Sequence, residues 1–205
     1  MYHSGNELIN PFKILERLQI QVGWQVADLG CGSLGHFVFP AAQFVGGEGR
    51  VYAVDIQKMV LQAIESAAKA QQYWNVQTVW SDIEVPHATH IPSNSLDLTI
   101  VANNLYLSQH REGLVQEAFR LTKPGGLILV IEWKAEPTVI GPAPEHRLSQ
   151  EDARQYFSHA ELSLEDAYEA GDCHYALVYR RHPASPAVMR LSAVESELLG
   201  LHPSS

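Results

Sequence analysis

Between residues 20 and 181, short apolar runs alternate with segments whose apolar positions recur every three or four residues. Runs of four to seven bounded by turn residues read as buried strands, and the 3.6-residue rhythm reads as helix. Strands are predicted at Gln25–Leu29, Arg50–Asp55, Val76–Trp80, Leu96–Ala102 and from Leu127 through Trp133. Helices are predicted between them at about 37–45, 58–72 and 111–121. Met59, Val60, Ala63, Ile64 and Ala67 form the inward side of the second, and Leu114, Val115, Ala118 and Phe119 that of the third. An earlier helix takes Asn10 as N-cap and Pro11 at its first position, carries Phe12, Ile14, Leu15 and Leu18 as an apolar stripe, and ends at Gly23. Such alternation calls for a parallel sheet covered by helices on both faces.

The rhythm changes after the fifth strand. Prolines dominate 134–147, a long connection placed to lie over a site. Ser149 with Asp152 gives an N-terminal capping signal for a helix reaching about His159. The runs 161–168 and 174–180 are close enough to pair as an antiparallel hairpin around Gly171-Asp172. One domain therefore covers 1–181. Residues 182–205, where prolines and serines flank Val188, Leu191, Val194 and Leu198, read as a tail, mobile or docked as a short helix.

Composition narrows the class. With 205 residues, 46% hydrophobic and 18% charged, the chain has the makings of one ordinary core. A net charge of −9 without a lysine or arginine run excludes bulk nucleic acid as a partner. There is no charged-then-apolar leader and no apolar stretch long enough to span a bilayer, so the expected location is cytoplasmic. Two cysteines, Cys31 and Cys173, support neither a disulfide framework nor a thiolate zinc site. Cys31 reads as a small residue between two glycines rather than as a nucleophile.

The candidate chemistry begins where the first strand ends. In Asp28-Leu29-Gly30-Cys31-Gly32-Ser33-Leu34-Gly35-His36, a carboxylate precedes a glycine-dense turn that lets backbone approach a ligand. Gly30, Gly32 and Gly35 fit the dinucleotide spacing G-x-G-x-x-G, with Asp55 as the ribose acid, which would make the chain a nicotinamide-dependent oxidoreductase. Asp28 argues against this, because a diphosphate over the turn would meet a carboxylate. A sulfonium and an α-ammonium group would be attracted to it.

Taken with Asp28, the turn reads Asp-x-Gly-x-Gly and resembles motif I of class I S-adenosylmethionine-dependent methyltransferases. Further resemblances follow in order: Val51 to Ile56 as motif II, Ser81-Asp82-Ile83 after strand three, and Arg120-Leu121-Thr122-Lys123-Pro124-Gly125-Gly126 before strand five. The nearest group in style is the single-domain ubiquinone and menaquinone biosynthesis enzymes. The resemblance implies an α/β, Rossmann-like, doubly wound seven-stranded sheet with strand seven antiparallel, and S-adenosylmethionine as cofactor. It implies a cofactor site from Asp28, Gly30, Cys31, Gly32, Asp55, Ile56, Asp82, Ile83 and Asn103, with Asp55 on the ribose hydroxyls, Ile56 on adenine and Asp82 near its amino group. Two departures stand out. Leu34 occupies the position of the family's third glycine, and Asn103-Asn104-Leu105-Tyr106 lacks the prolines of the amine-methylating Asn-Pro-Pro-Tyr.

Methyl transfer is an in-line displacement that needs alignment and exclusion of water more than a fixed catalytic group. His36, Tyr106, Glu132 and His174 are the candidates for a base, each with a plainer account as cap, packing residue or surface residue. For Glu132 the plainer account is an ion pair with Arg147 or Lys134. A small-molecule acceptor is expected, with a protein lysine or terminal amine as the alternative; the scarcity of cysteines disfavours arsenic. Tyr2 and His3 are placed to fold over the cofactor.

Overall fold

A computed structural model of the chain describes residues 8–136, 138 and 140–183. The expectations for Tyr2, His3 and the tail from 184 onward lie outside the described residues.

The described part is a seven-stranded sheet in the order β3-β2-β1-β4-β5-β7-β6, with β1 at Gln25–Leu29, β2 at Arg50–Asp55, β3 at Val76–Trp80, β4 at Leu96–Ala102, β5 at Thr122–Trp133, β6 at Leu162–Glu169 and β7 at His174–Arg181. β1 pairs in parallel with β2 and β4, and β4 with β5, whereas β7 runs antiparallel to both β5 and β6. This is the predicted class. Strand order reverses between β1 and β4, so the loops leaving these two strands diverge and open a crevice at their carboxyl ends.

Each sheet face buries its own core. One joins Val26, Ile100, Leu129 and Ile131 to the helices α1 (Pro11–Arg17), α2 (Val38–Val45) and α3 (Lys58–Ala70). The other joins Leu29, Leu105, Val130 and Leu177 to α4 (Arg111–Leu121) and α5 (Gln150–Tyr156).

Both predicted caps are formed. Asn10 Oδ1 accepts from the Lys13 amide at 3.1 Å and Ser149 Oγ from the Asp152 amide at 3.1 Å. The first helix ends at Arg17, well before Gly23, because Gln19 adopts a left-handed φ of 54°. On α3 the buried side is Leu61, Ile64 and Ala68, while Met59 is 81% exposed and Ala63 is exposed too. On α4 the inward side includes Glu117, and Phe119 is only half-buried. Thr122 to Gly126, which lead into the fifth strand in the sequence, form the start of β5, where Gly125 takes a left-handed φ of 86° and a register shift between Leu96 and Leu98 absorbs Pro124 and the two glycines.

The irregular stretch between β3 and β4 is anchored to α4 by one buried carboxylate. Glu117 accepts from the His87 amide at 2.7 Å, from Thr89 Oγ1 at 2.6 Å and from Arg120, whose guanidinium also reaches the Ile91 carbonyl at 2.9 Å. Among the described residues no helix is long and apolar enough to cross a membrane.

Candidate active site

The glycine turn after β1 is stitched to both neighbouring strands. The amides of Gly30 and Cys31 donate to the Val54 carbonyl at 2.8 and 3.0 Å, which folds the turn over the end of β2. Asp55, the last residue of β2, accepts from the Gly32 amide at 3.3 Å and from the Gln57 amide at 2.9 Å. On the other side, Asn104 Nδ2 donates to the carbonyls of Leu29, Gly30 and Ala102 at 2.9, 3.0 and 2.8 Å. Gly30 has φ of 77°, and a Cβ there would stand 2.4 Å from Asn104 Oδ1. Gly35 replaces the family's third glycine by packing against the Phe39 ring and Ile64, with neighbouring Leu34 81% exposed.

Beside this turn lies a cleft of about 440 Å³ whose lining includes Gly30, Asp55, Ile56, Asp82, Ile83 and Asn104. Five of the nine residues expected to hold a cofactor thus share one cavity. Asp28 and Cys31 are buried below it, Gly32 acts on it through Asp55, and Asn103 leaves β4 with φ of 55° and a buried Oδ1 that has no partner among the described residues. Asp28 is pushed up to about 7 by burial and by the Asp55 charge. Burial likewise pushes the Cys31 thiol up, which suits a packing residue. No lysine or arginine among the described residues pairs with Asp28 or Asp55. At the rim, Ile56 is 57% exposed, and Trp80 donates to its carbonyl at 2.8 Å beneath the Lys58 ammonium.

The far wall of the cleft is the segment Asn104–His110, of which the sequence singled out only the part up to Tyr106. Leu107, Ser108 and Gln109 also line a second cleft of about 600 Å³, together with Tyr106, Arg111 and Tyr156. The segment is a partition between two cavities. Its far end is held by Glu84, whose carboxylate accepts from the amides of Gln109 and His110 at 3.1 and 2.8 Å, doing for α4 the capping that its own N-cap residue does not.

The four candidate bases do not form one cluster but two pairs, Tyr106 with Glu132 and His36 with His174. Tyr106 lines the second cleft, and burial and the nearby Glu132 raise its phenol. Glu132 is fully buried under the partition and accepts from the Leu105 amide at 2.7 Å; burial pushes it up to about 8. It has neither of the expected cationic partners. Lys134 pairs with Glu169 at 3.1 Å, and Arg147 donates to the carbonyls of Pro142, Lys134 and Glu136, gathering the proline-rich connection around its guanidinium. His174 lies on the opposite sheet face with its ring 4.0 Å from that of Trp133. It is 1% exposed, and burial with the charges of Arg147, His36 and Lys134 lowers it to about 4. His36 Nε2 is spent on the Ile9 carbonyl at 3.0 Å. The connection covers the Trp133 ring through Gly141, so the segment expected to overlie the site does pack on the sheet's carboxyl edge.

Comparison with known proteins agrees with this architecture. The methyltransferase-domain family matches residues 20–175. The chain is 29% identical over 128 residues to demethylmenaquinone methyltransferase of Geobacillus sp. (strain WCH70), covering 62% of this chain and 52% of that protein. It is 34% identical over 108 residues to arsenite methyltransferase of Aquipseudomonas alcaligenes, covering 51% and 31%. The chain thus spans about half the length of the first curated relatives it matches. A SAM-dependent methyltransferase structure from Aquifex aeolicus superposes with a TM-score of 0.77 at 24% identity, over 85% of this chain and 90% of that one. The oxidoreductase alternative left open by the three glycines is set aside by these matches. The chain belongs to the methyltransferase-domain family.

Proposed function

We propose that this protein transfers a methyl group from S-adenosylmethionine to a small-molecule acceptor, with the donor in the cleft at the glycine turn and the acceptor reaching its methyl from the second cleft where the two adjoin at Leu107, Ser108 and Gln109. The carrying observation is the acid-lined cleft at the glycine turn: Asp55 and Asp82 line it, Asp28 is buried at the end of the strand that leads into the turn, and no lysine or arginine among the described residues pairs with any of the three. A cationic ligand fits that donor set and a diphosphate does not. Asp55 would take the ribose hydroxyls, since each carboxylate oxygen keeps a lone pair beyond its one amide bond. Ile56 offers an apolar face for adenine, Asp82 an acceptor for its amino group, and the buried Asp28 a negative charge beneath the methionine moiety. When bound, the cofactor supplies an electrophilic methyl on a sulfonium.

The protein's own part is alignment. The Asn104 amide fixes where the partition leaves the sheet, Glu84 fixes where it enters α4, and the connection gathered by Arg147 shields the edge from water. Tyr106 lines the second cleft and is the candidate closest to an acceptor. The second cleft has the volume of a small-molecule site, and the names of the two relatives point the same way. Both cysteines are buried as free thiols, which disfavours a thiophilic metalloid acceptor.

Calorimetry with S-adenosylmethionine and S-adenosylhomocysteine tests the cofactor assignment. Saturable binding of both is expected, and absence of heat with either at millimolar ligand defeats it.

A further inference from the structure

We infer that Glu132 is a positioning residue, setting the backbone of the partition between the two clefts through the amides of Leu105 and Tyr106. This rests on the reading of the clefts given above for its functional weight, but its geometry stands alone.

Glu132 is the penultimate residue of β5 and is wholly buried. Its Oε1 accepts from the Leu105 amide at 2.7 Å and, more weakly, from the Tyr106 amide at 3.4 Å. Arg111, the first residue of α4, grips the same two residues by their carbonyls, so that the peptide unit joining Leu105 to Tyr106 is held from both sides: Nε donates to the Leu105 carbonyl at 2.9 Å and Nη2 to the Tyr106 carbonyl at 3.4 Å. A carboxylate on the N–H groups and a guanidinium on the C=O groups form a clamp across the root of the partition. Tyr106 and the shared residues Leu107 to Gln109 follow immediately. Glu132 lines neither cleft, so it acts on ligands only through this backbone.

Two methyl-free amides need only a neutral acceptor, yet the chain places a titratable acid there. Its second oxygen, Oε2, is buried without a hydrogen-bond partner among the described residues. An ionised carboxylate accepts about twice as strongly as a neutral carbonyl, so the clamp has two strengths. The groups facing it are Arg111 from α4, Tyr106 from the partition and Tyr175 from β7, with Asp152 of α5 beside Tyr175. The amides of Leu105 and Tyr106, then Arg111 and the Asn104 amide, favour the charge, but burial outweighs them together, holding the proton to about pH 8. The clamp therefore tightens as pH rises through that value.

The test is nuclear magnetic resonance of the full chain labelled with nitrogen-15, following the Leu105 and Tyr106 amides across about pH 6 to 9. Both are expected to shift with a common midpoint near 8 and to gain protection above it once the base-catalysed rise of intrinsic exchange is divided out. Glu132→Gln keeps the acceptor and the fold but abolishes the titration; Glu132→Asp, one methylene short, loses the slow exchange of both amides. Flat profiles in the unaltered protein overturn the inference, and so does a titration that survives Glu132→Gln. A second arm compares S-adenosylhomocysteine binding. The unaltered protein is expected to gain about threefold over Glu132→Gln between about pH 7 and 9, and superimposable profiles would remove the link from clamp to cleft. If neither protein binds the probe, the cofactor reading fails while the amide titration still decides the clamp.

Discussion

The side-chain amide of Asn104 occupies the space that a Cβ on Gly30 would need, and donates to the Gly30 carbonyl at 3.0 Å. Glycine and asparagine are thus one fitted pair joining the ends of β1 and β4, the strands between which the sheet order reverses. Gly30→Ala must bear a left-handed φ, costing about 1–2 kcal/mol, and displace a side chain holding three carbonyls. We expect a lower urea midpoint and at least about tenfold weaker S-adenosylhomocysteine binding. Adding Asn104→Ala should cost less than the sum of the two single changes, because the second removes the atom the first collides with. Strict additivity in the double-mutant cycle would break the pairing.

Asp28 makes cofactor binding proton-linked. Burial and Asp55 hold its carboxyl at about 7, so below that value the free protein carries a proton there, and a cation settling above it expels the proton. S-adenosylmethionine affinity should therefore rise with pH up to about 7 and then level, with proton release visible when calorimetry is repeated in buffers of different ionisation enthalpy. Stability of the free protein runs the other way. The unfolded chain ionises near the ordinary aspartate value while the folded one does so near 7, so stability falls across the window between them and is flat above it. Asp28→Asn should erase both slopes.

Asp55→Ala removes the acceptor for the Gly32 and Gln57 amides and, on our reading, for the ribose. Cofactor affinity is expected to fall by about 1–3 kcal/mol, the scale of charged hydrogen bonds. Asp55→Asn separates the parts, since it retains an amide acceptor. Undiminished binding in the alanine variant would refute the ribose assignment.

Glu117 is raised by burial but lowered more by its bonds with Arg120, Thr89 and His87, so its net shift is downward. Such a group adds stability above the unfolded carboxylate range and loses it as pH falls through its own lower value. Glu117→Ala leaves the Arg120 guanidinium, 13% exposed, without its carboxylate, and should cost about 3–5 kcal/mol in chemical unfolding. Glu117→Gln should flatten the acid limb of the stability profile.

The strands and the glycine turn were legible because they are local: an apolar run, an acid and glycines lie within a dozen residues. Asp55, Ile56, Asp82 and Ile83 followed from the resemblance, and they share the cleft because β2 and β3 run parallel to β1 and end on the same edge of the sheet. Helix faces were read less well. On α3, Met59 and Ala63 are four apart and so form one stripe, but the stripe that meets the sheet is Leu61, Ile64 and Ala68, and only the packing angle decides between them. Glu84, Glu117 and Arg111 left no local trace, since each works on backbone groups set by the tertiary fold. Asn104 was findable: a polar residue two places beyond β4, at the crossing point, has to bridge diverging strands. Glu132 drew notice as an acid closing an apolar run, but its partners are two amides rather than a cation.

Leu107, Ser108 and Gln109 belong to both cavities, whereas residues 145–148 with Asp152, Gln155 and Tyr156 border only the second. A change of side chain in the shared trio alters two volumes at once. Specificity for an acceptor can drift freely only along the α5 flank, so relatives that differ in what they methylate should differ there first, leaving the common wall nearly constant.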